Sequence, residues 1–441
     1  MQRADGGQGV VRAGGYARWI VIAWVFVIAA VSYLDRNNIS IAISSIQKEF
    51  GLSNVQLGTV FSAFVFGYAL TQPFAGRLAD RFGPYKLIAF AILWWSLLTV
   101  SVTFVPAGLP ISFGLLLGVR LLLGVGEAVI FPASNRLVAS WIPQRERGFA
   151  NGLIFAGVGV GGGLAPPLIT YFMLTTHSWR TSFYVCAAIG VAVGVVWLLL
   201  VRDQPRDHAW VSDAEASYIE AGLPVHTSDG GLRRWRDMIL DGQVALLTAS
   251  YFCYGYVAYI FFTWFFKYLS DVRGLNLKSS ALYATLPFIA MAVASSLGGF
   301  VSDILIPRYG HRVARCGLAG VSMLLAAGFV WWATQVTDAR VAALVLAGGA
   351  GALYLAQSAF WAISADIGGA SAGAVSGVMN MGSQIGGVVT ASMTPLVAAR
   401  FGWTPSFAFA AAVCAVGGVL WLFIDPSHAL VVRGRPAAAA A

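Results

Sequence analysis

Long apolar runs alternate with short polar segments along the chain, and these runs define the predicted elements. A helix that crosses a bilayer needs about 20 mostly apolar residues. Twelve runs reach roughly this length: 17–46, 54–77, 84–105, 109–141, 147–174, 180–201, 243–270, 280–305, 313–335, 339–365, 372–399 and 403–424. They are too long and too continuous for the alternating strands of a membrane β-barrel. The pattern therefore predicts an all-α integral membrane protein with twelve transmembrane helices.

The composition agrees with this pattern. Of the 441 residues, 58% are hydrophobic and 11% are charged, and the mean hydropathy is +0.74. Because a soluble domain carries about a quarter charged residues, these values exclude a soluble enzyme, a disordered chain and a disulfide-rich secreted module. The net charge of +9 is scattered between apolar runs, which favours membrane topology over a nucleic-acid partner.

The basic residues predict the orientation in the membrane. If both termini are cytoplasmic, the inner segments hold 18 Lys and Arg and the outer segments hold 7. Positive residues are enriched in cytoplasmic loops, so we expect a multi-pass protein of the cell inner (plasma) membrane with cytoplasmic N- and C-termini. The first run has no small-residue cleavage site before Asp35, so it predicts a transmembrane helix rather than a signal peptide.

A charged segment divides the chain. Twelve of the 39 residues in 203–241 are charged. We expect an N-terminal six-helix bundle at 1–202, a cytoplasmic linker with a short helix at 203–241, a C-terminal six-helix bundle at 242–425 and a disordered tail at 426–441. Within the linker, Ser212 and Glu215 have the spacing of a helix capping box.

The two halves also resemble each other. Gly76 and Asp80 of GRLADRFG repeat as Gly299 and Asp303 of GFVSD at an offset of 223, and four glycines of the fifth run repeat in the eleventh at an offset of 225. A duplicated six-helix unit is typical of secondary transporters, whose substrate sites lie near the midplane between the repeats. The repeat therefore indicates a transporter.

Four charged residues lie deep inside apolar runs: Asp35 and Arg36 in the first, and Arg120 and Glu127 in the fourth. Each costs about 2.5–3.5 kcal/mol at the bilayer centre, so we expect them to face a wet cavity or one another. One interpretation is a static ion-pair network that joins two helices. The other is a proton relay coupled to an anion site, in which protonating an acid frees an Arg for a substrate carboxylate.

Several motifs resemble a known family. YLDRNNISIA in the first run, RLLLGVGEAVIFPASNR in the fourth and FFTWFFKYL in the seventh resemble the anion:cation symporter family, and GRLADRFGPYK resembles the loop motif of the major facilitator superfamily. The family includes bacterial D-galactonate, glucarate and hexuronate transporters, and the resemblance covers about residues 17–425. It implies the major facilitator fold, with two pseudo-symmetric six-helix bundles.

The resemblance also implies roles for individual residues. Asp35 and Glu127 resemble the proton-coupling acids, Arg36 their switch partner, Arg120 the ligand of the substrate carboxylate, and Tyr68 a binding tyrosine of the sugar-acid members. Where those members often carry polar residues, the fifth run has Ala156–Val160. This departure leaves room for a bulkier or more apolar carboxylate.

Further candidates follow from the repeat and from the loop motif. The predicted substrate-binding set also contains Tyr254, Tyr259, Trp361, Asn380 and Gln384. For each of them, helix packing is the alternative interpretation. The loop motif implies a gating role, closure of the cytoplasmic side, with a plain turn as the alternative, for Gly76, Asp80, Arg81 and Gly83. We expect Asp366, at the inner end of the tenth run, to be solvated or to cap a helix.

Together these features predict proton-coupled symport of a small organic anion, a sugar acid or another carboxylate, into the cytoplasm by alternating access. The alternative is a proton-coupled antiporter or exporter of organic anions or drugs with the same fold, which predicts a mostly apolar site without a carboxylate-binding Arg. An intramembrane enzyme is disfavoured because all five His lie in predicted loops or helix ends. We expect no metal, no cofactor other than the coupling protons, no nucleic-acid partner and a monomer in the lipid bilayer.

Overall fold

The computed structural model describes residues 15–223, 238, 240–265, 268–275 and 277–427. In this part of the chain the regular structure is helical and contains no strand. Linker residues 224–237 and the predicted tail from 428 onward lie outside the described residues, as do two residues of the FFTWFFKYL motif.

The α-helices have lengths that suit a membrane protein. Their bounds are α1 Ala17–Phe50, α2 Asn54–Phe82, α3 Pro84–Thr103, α4 Ser112–Glu127, α5 Ile130–Trp141, α6 Arg147–Thr176, α7 Trp179–Leu200, α8 Asp213–Ala221, α9 Gly242–Thr263, α10 Leu277–His311, α11 Leu318–Gln335, α12 Ala339–Leu355, α13 Gln357–Gly368, α14 Ala372–Phe401 and α15 Trp403–Leu420.

Apolar composition marks most of these helices as spans. Nine stretches of the described residues are long and apolar enough to cross a membrane, and one of them, Leu282–Gln335, contains two consecutive helices. Helices α2 and α14 are long enough to span but are not among these nine. The all-α membrane architecture is thus confirmed, and the count of twelve spans stays a prediction.

Two spanning segments contain short turns that keep near-helical dihedral angles. Helix α4 ends at Glu127 and α5 begins at Ile130, with Ala128 at φ −55° and ψ −24°. Helix α12 ends at Leu355 and α13 begins at Gln357, with Ala356 at φ −78° and ψ −17°. Because Pro132 has no N–H for the Ala128 carbonyl, Gln72 of α2 donates a hydrogen bond from Nε2 to that carbonyl at 2.8 Å.

Helix packing follows the same order in both halves. In the first half α1 packs on α6, α2 on α4 and α3 on α7; in the second, α9 packs on α14, α10 on α12 and α11 on α15. The halves meet most extensively where α2 packs on α14 and α6 on α10, and they also meet where α5 contacts α14 and α6 contacts α13. Glycines permit close approach there, since a Cβ at Gly76 or at Gly299 would collide with the backbone of Gly373 or Gly148 respectively.

The described part of the linker docks against the start of α1. Ser212 caps α8 by accepting the Glu215 backbone N–H at 3.2 Å. The buried Glu215 carboxylate accepts hydrogen bonds from the backbone N–H groups of Ala17 and Arg18, at 3.2 and 3.3 Å, and from the Arg18 guanidinium at 3.0 Å. Only the Ser212 half of the predicted capping box is present, because the carboxylate binds the N-terminus of α1 instead. We call this end of the bundle, where α2 ends and α6 begins, the linker end.

Candidate functional site

Helices α1 and α4 bring the four intramembrane charges together, and we call Asp35, Arg36, Arg120 and Glu127 the charge cluster. Arg36 Nη2 lies 3.1 Å from Glu127 Oε1. The Ser32 hydroxyl, one helical turn before Arg36, donates to the same carboxylate oxygen. Both charged side chains are largely buried, at 11% and 4% exposure. The first and fourth spans are thus joined by a buried, hydrogen-bonded ion pair.

The second acid of the cluster is less well satisfied. The Thr99 hydroxyl of α3 donates to Asp35 Oδ2 at 2.6 Å. The other carboxylate oxygen, Oδ1, is buried and has no hydrogen-bond partner among the described residues. The remaining charges of the cluster all lie within electrostatic range of this carboxylate. Asp35 therefore has an open hydrogen-bonding position beside the Arg36–Glu127 pair.

Arg120 is the unpaired cation of the cluster. It is 3% exposed and forms no ion pair with any residue that the structure describes, and its Nε has no hydrogen-bond partner there. Its guanidinium carbon lies 4.7 Å from the centroid of the Phe64 ring, which Arg36 also contacts at 5.0 Å. Asp35 and Glu127 lie within electrostatic range of Arg120 without forming an ion pair with it. Because a buried charge without a direct ion-pair partner is costly, an anion that contacts the Arg120 guanidinium would be stabilised.

A small cavity lies between the two halves next to the charge cluster. Its free volume is about 30 Å³, room for a water or two rather than for a solute. Its walls are Tyr33, Tyr68, Phe131, Phe155, Tyr251, Tyr254, Ala258, Tyr259, Phe262, Tyr354, Gln357, Trp361, Asn380, Ser383 and Gln384. The structure is therefore closed around its central site.

The cavity contains six of the eight predicted substrate-binding residues, namely Tyr68, Tyr254, Tyr259, Trp361, Asn380 and Gln384. Arg36 and Arg120 are not among the cavity walls. Arg36 lies behind the wall residues Tyr33 and Tyr68, with its guanidinium carbon 4.5 Å and 4.8 Å from their respective ring centroids. Arg120 lies beside Phe64, itself in ring contact with Tyr68 at 5.9 Å. A movement of these aromatic rings would be needed before a solute could touch both cations.

Hydrogen bonds between side chains fix the positions of residues in the second-half wall of the cavity. Gln357 Nε2 and Trp361 Nε1 both donate to the Tyr251 hydroxyl, at 2.8 and 2.9 Å, and the Tyr259 hydroxyl donates to Gln384 Oε1. Some polar atoms remain open among the described residues: the Tyr68 hydroxyl and Gln357 Oε1 are buried without a hydrogen-bond partner. Such groups are costly to bury unsatisfied, and a bound solute could satisfy them.

Several aromatic walls of the cavity were not among the residues predicted from the sequence. Phe131 and Phe155 stack with ring centroids 5.1 Å apart, and Trp361 packs against both. These aromatic residues look like ordinary packing residues in the sequence. Tyr33 could have been found, since it lies one helical turn before Arg36 on the same face of α1, and its hydroxyl accepts a hydrogen bond from Arg36 at 3.3 Å.

The loop-motif residues lie at the linker end, between the halves. Asp80 accepts the backbone N–H groups of Gly373 and Ala374, at 3.0 and 2.8 Å, and so holds the N-terminus of α14. Asp303 makes the equivalent contact from the other half, accepting the Phe149 N–H of α6 at 2.7 Å. Gly83 ends α2 with φ of 84°, a conformation that favours glycine. Arg81, in contrast, is exposed and lies over the neighbouring Phe82 ring.

Asp366 corrects one expectation. It is neither solvated nor a helix cap: its carboxylate is buried and pairs with Arg147 of the first half at 3.1 Å and with Arg315 of the second half. Arg315 also donates from Nη2 to the Gln144 carbonyl at 3.0 Å. The prediction failed because Asp366 is at a span end, where water is the default partner, and the opposing arginines are remote in sequence. Together with the Asp80 and Asp303 contacts, this network closes the linker end.

Comparison with known proteins adds to this geometry. A family model described as Major Facilitator Superfamily matches residues 25–391. The "Probable sulfoacetate transporter" of Cupriavidus necator is 32% identical over 414 residues, which are 93% of this chain and 94% of that protein. The D-galactonate transporter of Escherichia coli is 27% identical over 427 residues, 93% of this chain and 96% of that one.

A solved structure has the same fold. The proton:xylose symporter XylE superposes with a TM-score of 0.76 at 15% identity, covering 94% of this chain and 97% of that chain. At this identity the likeness concerns the fold alone. The relatives are transporters rather than enzymes, and they confirm the predicted resemblance to the anion:cation symporters.

Proposed function

Because the chain belongs to the Major Facilitator Superfamily, we propose that it carries a small organic anion into the cytoplasm together with protons, by alternating access across the cell inner membrane. Relatives named for sulfoacetate and D-galactonate support an organic anion as the solute. The observation that carries the proposal is the buried Arg36–Glu127 ion pair beside an unpaired Arg120.

Coupling would arise from competition for the arginines. While Glu127 is ionised, it neutralises Arg36 at 3.1 Å, and the counter-charge left for Arg120 is the Asp35 carboxylate, which lies beyond ion-pair distance. Protonation of Glu127 removes that negative charge, so that Arg36 and Arg120 are both free for a carboxylate or sulfonate. The bound anion in turn favours protonation of Glu127, because coupling between two binding events is reciprocal. Proton and anion therefore bind together.

Asp35 is the second candidate acid and bears on the stoichiometry. One proton with a monoanion moves no net charge, whereas two protons move one positive charge inward. Each charge moved gains about 2.3 kcal/mol per 100 mV of membrane potential. The open oxygen of Asp35 within the cluster supports a role in which it exchanges protons with water entering the cavity.

Transport in proteoliposomes tests the proposal. Labelled D-galactonate and sulfoacetate are offered with an acidic exterior, with no pH gradient, and with a protonophore. We expect at least one of them to accumulate against its gradient only when the exterior is acidic, and to lose this accumulation with the protonophore. Uptake that ignores the pH gradient would refute symport. Accumulation only with an acidic interior would instead favour the antiporter.

A further inference from the structure

We infer that the transported solute carries its negative charge at one end only and an uncharged hydrogen-bonding group at the other. This inference rests on the proposed function and specifies its solute. The juxtaposition behind it is a cationic first-half wall opposite a second-half wall that is polar but neutral.

Charge is distributed unevenly across the cavity. The first-half walls Tyr33 and Tyr68 are backed by Arg36, whose guanidinium carbon lies within 4.8 Å of both ring centroids. On the second-half side, no charged side chain is present among the cavity walls that the structure describes. Arg315, which belongs to that half, is fully buried and already engaged with Asp366. A carboxylate at the second-half end would therefore be desolvated without a counter-charge, which is strongly unfavourable.

The neutral wall offers hydrogen bonds instead. Gln384 and Gln357 present amide groups, and Gln357 Oε1 is buried without a partner among the described residues. Tyr254 lines the cavity as well and is in ring contact with Tyr354, with centroids 5.7 Å apart. Hydroxyl or amide groups of a solute can both donate and accept here, whereas a carboxylate only accepts and would face the open amide oxygen of Gln357. The wall thus selects an uncharged polar end.

A series of aromatic contacts links the cationic side to the neutral side. Tyr33 packs on Phe131, and Phe131 packs on Trp361, which donates from Nε1 to Tyr251 on the second-half wall. These rings offer no counter-charge to a second anionic group. A solute whose charges all lie at the end that faces the arginines, and whose other end is an uncharged polar group, satisfies this arrangement. A dianion with charges at opposite ends does not, so the site selects by the position of the charges rather than by their number.

Two six-carbon acids provide a matched test. D-galactonate and galactarate share their hydroxyl configuration and differ in that galactarate has a second terminal carboxylate. Dissociation constants are measured by calorimetry on the purified full chain in detergent at pH 7, where both compounds are fully ionised. We expect D-galactonate to bind at least tenfold more tightly. Equal binding, tighter binding of galactarate, or binding of neither compound would overturn the inference.

Variants that add a positive charge to the second-half wall provide a second test. Gln384→Arg supplies a cation to the neutral wall and should reduce or reverse the preference, and Asn380→Lys should act in the same direction. Gln384→Met, which adds no charge, is the matched control and should keep the preference for D-galactonate while weakening both ligands. An unchanged preference in both cationic variants would contradict the inference. The wild-type pair decides the question even if neither variant folds.

Uptake measured on the same preparation separates this inference from the proposed function. Selective binding of D-galactonate without proton-driven accumulation would leave the inference standing and refute symport. Proton-driven accumulation of galactarate would refute the inference and leave symport standing.

Discussion

At the scale of single residues, the intramembrane charges differ in how well they are satisfied. Glu127 is bound by Arg36 and by Ser32, whereas Arg120 Nε and one oxygen of Asp35 have no hydrogen-bond partner among the described residues. A purely structural network would be expected to satisfy all of its members, since a half-satisfied buried network is costly. The unequal satisfaction therefore favours a relay with a vacant anion position over a static lock between helices.

Neutralising Glu127 separates coupling from binding. In Glu127→Gln the side chain mimics the protonated acid, so Arg36 is permanently available to the anion and no proton can be exchanged. We expect counterflow of labelled D-galactonate between preloaded liposomes to persist, while accumulation driven by an acidic exterior falls at least tenfold. Glu49→Gln is the control and should retain accumulation. Glu49 lies outside the charge cluster and pairs with Arg180 at 2.6 Å. Full proton-driven accumulation in Glu127→Gln would assign coupling to another acid.

Arg120→Lys tests the vacant anion position. A guanidinium can bind a carboxylate through two parallel hydrogen bonds, whereas an ammonium is a shorter, more strongly hydrated point charge. We expect the dissociation constant for D-galactonate to rise about tenfold to a hundredfold, corresponding to about 1.4–2.7 kcal/mol, with little change in melting temperature because no described partner is lost. Arg180→Lys, at the surface pair with Glu49, should leave affinity unchanged. Wild-type affinity in Arg120→Lys would remove this residue from the site.

The charge cluster was predictable because a charge in an apolar run is conspicuous in sequence and has few permissible environments. The walls of the cavity were harder to identify. Phe131, Phe155 and Tyr354 are aromatic residues in membrane helices, and the same residue types serve packing, belts and binding sites. Only the tertiary arrangement of α5, α6 and α12 distinguishes these uses. The predicted set therefore contained Tyr68, Tyr254 and Tyr259 but missed the phenylalanine walls and the tyrosines Tyr33, Tyr251 and Tyr354.

At the scale of elements, the short linker helix α8 is bound to the first span. Glu215 is fully buried and holds two backbone N–H groups and the guanidinium at the start of α1. Tyr218, on the same helix, donates to Glu146 in the turn before α6. The Ser212–Glu215 spacing correctly predicted a helix start. The spacing could not show that the Glu215 carboxylate binds the start of α1 rather than its own helix, because Ala17 and Arg18 lie almost 200 residues earlier in the chain.

Removal of the Glu215 charge should loosen this attachment. Glu215→Gln removes the closest carboxylate of the buried Arg18, which keeps its pair with Glu146 at 3.1 Å, and it weakens two backbone hydrogen bonds. Loss of hydrogen bonds to a charged group is worth about 1.5–3 kcal/mol. We expect a melting temperature lower by several degrees in detergent and faster proteolysis within the linker. Glu220→Gln, on the same helix, breaks a solvent-exposed pair with Arg206 and should have almost no effect. Equal effects in the two variants would show that α8 does not depend on its attachment to α1.

At the scale of the whole molecule, the repeat in sequence appears as a repeat in packing. The offset of 223 that relates Asp80 to Asp303 corresponds to two equivalent contacts, each holding the N-terminal turn of a helix in the other half. What the repeat could not predict is which end of the molecule is closed. That depends on relative positions of the halves that differ by little in energy, and sequence patterns report each half separately.

These two contacts predict how closure of the linker end is balanced. A carboxylate at a helix N-terminus is stabilised by the N–H groups and by the helix dipole, by about 0.3–1 kcal/mol or more when partly buried. Asp80→Asn and Asp303→Asn should therefore each shift the population toward a form open at the linker end, and the double variant should shift it further, because the two sites lie in different contacts between the halves.

Distances between spin labels at Phe82→Cys and Tyr309→Cys, both at exposed positions in opposite halves, measure this shift, and the four native cysteines are buried. Asp338→Asn is the matched control, because Asp338 caps α12 at 2.9 Å within one half and so shares the chemistry without bridging the halves. We expect longer distances to gain population in both interface variants, most in the double variant, and not in the control. An identical distance distribution in wild type and double variant would show that Asp80 and Asp303 do not hold the linker end closed, and closure would then rest on the Asp366 network with Arg147 and Arg315.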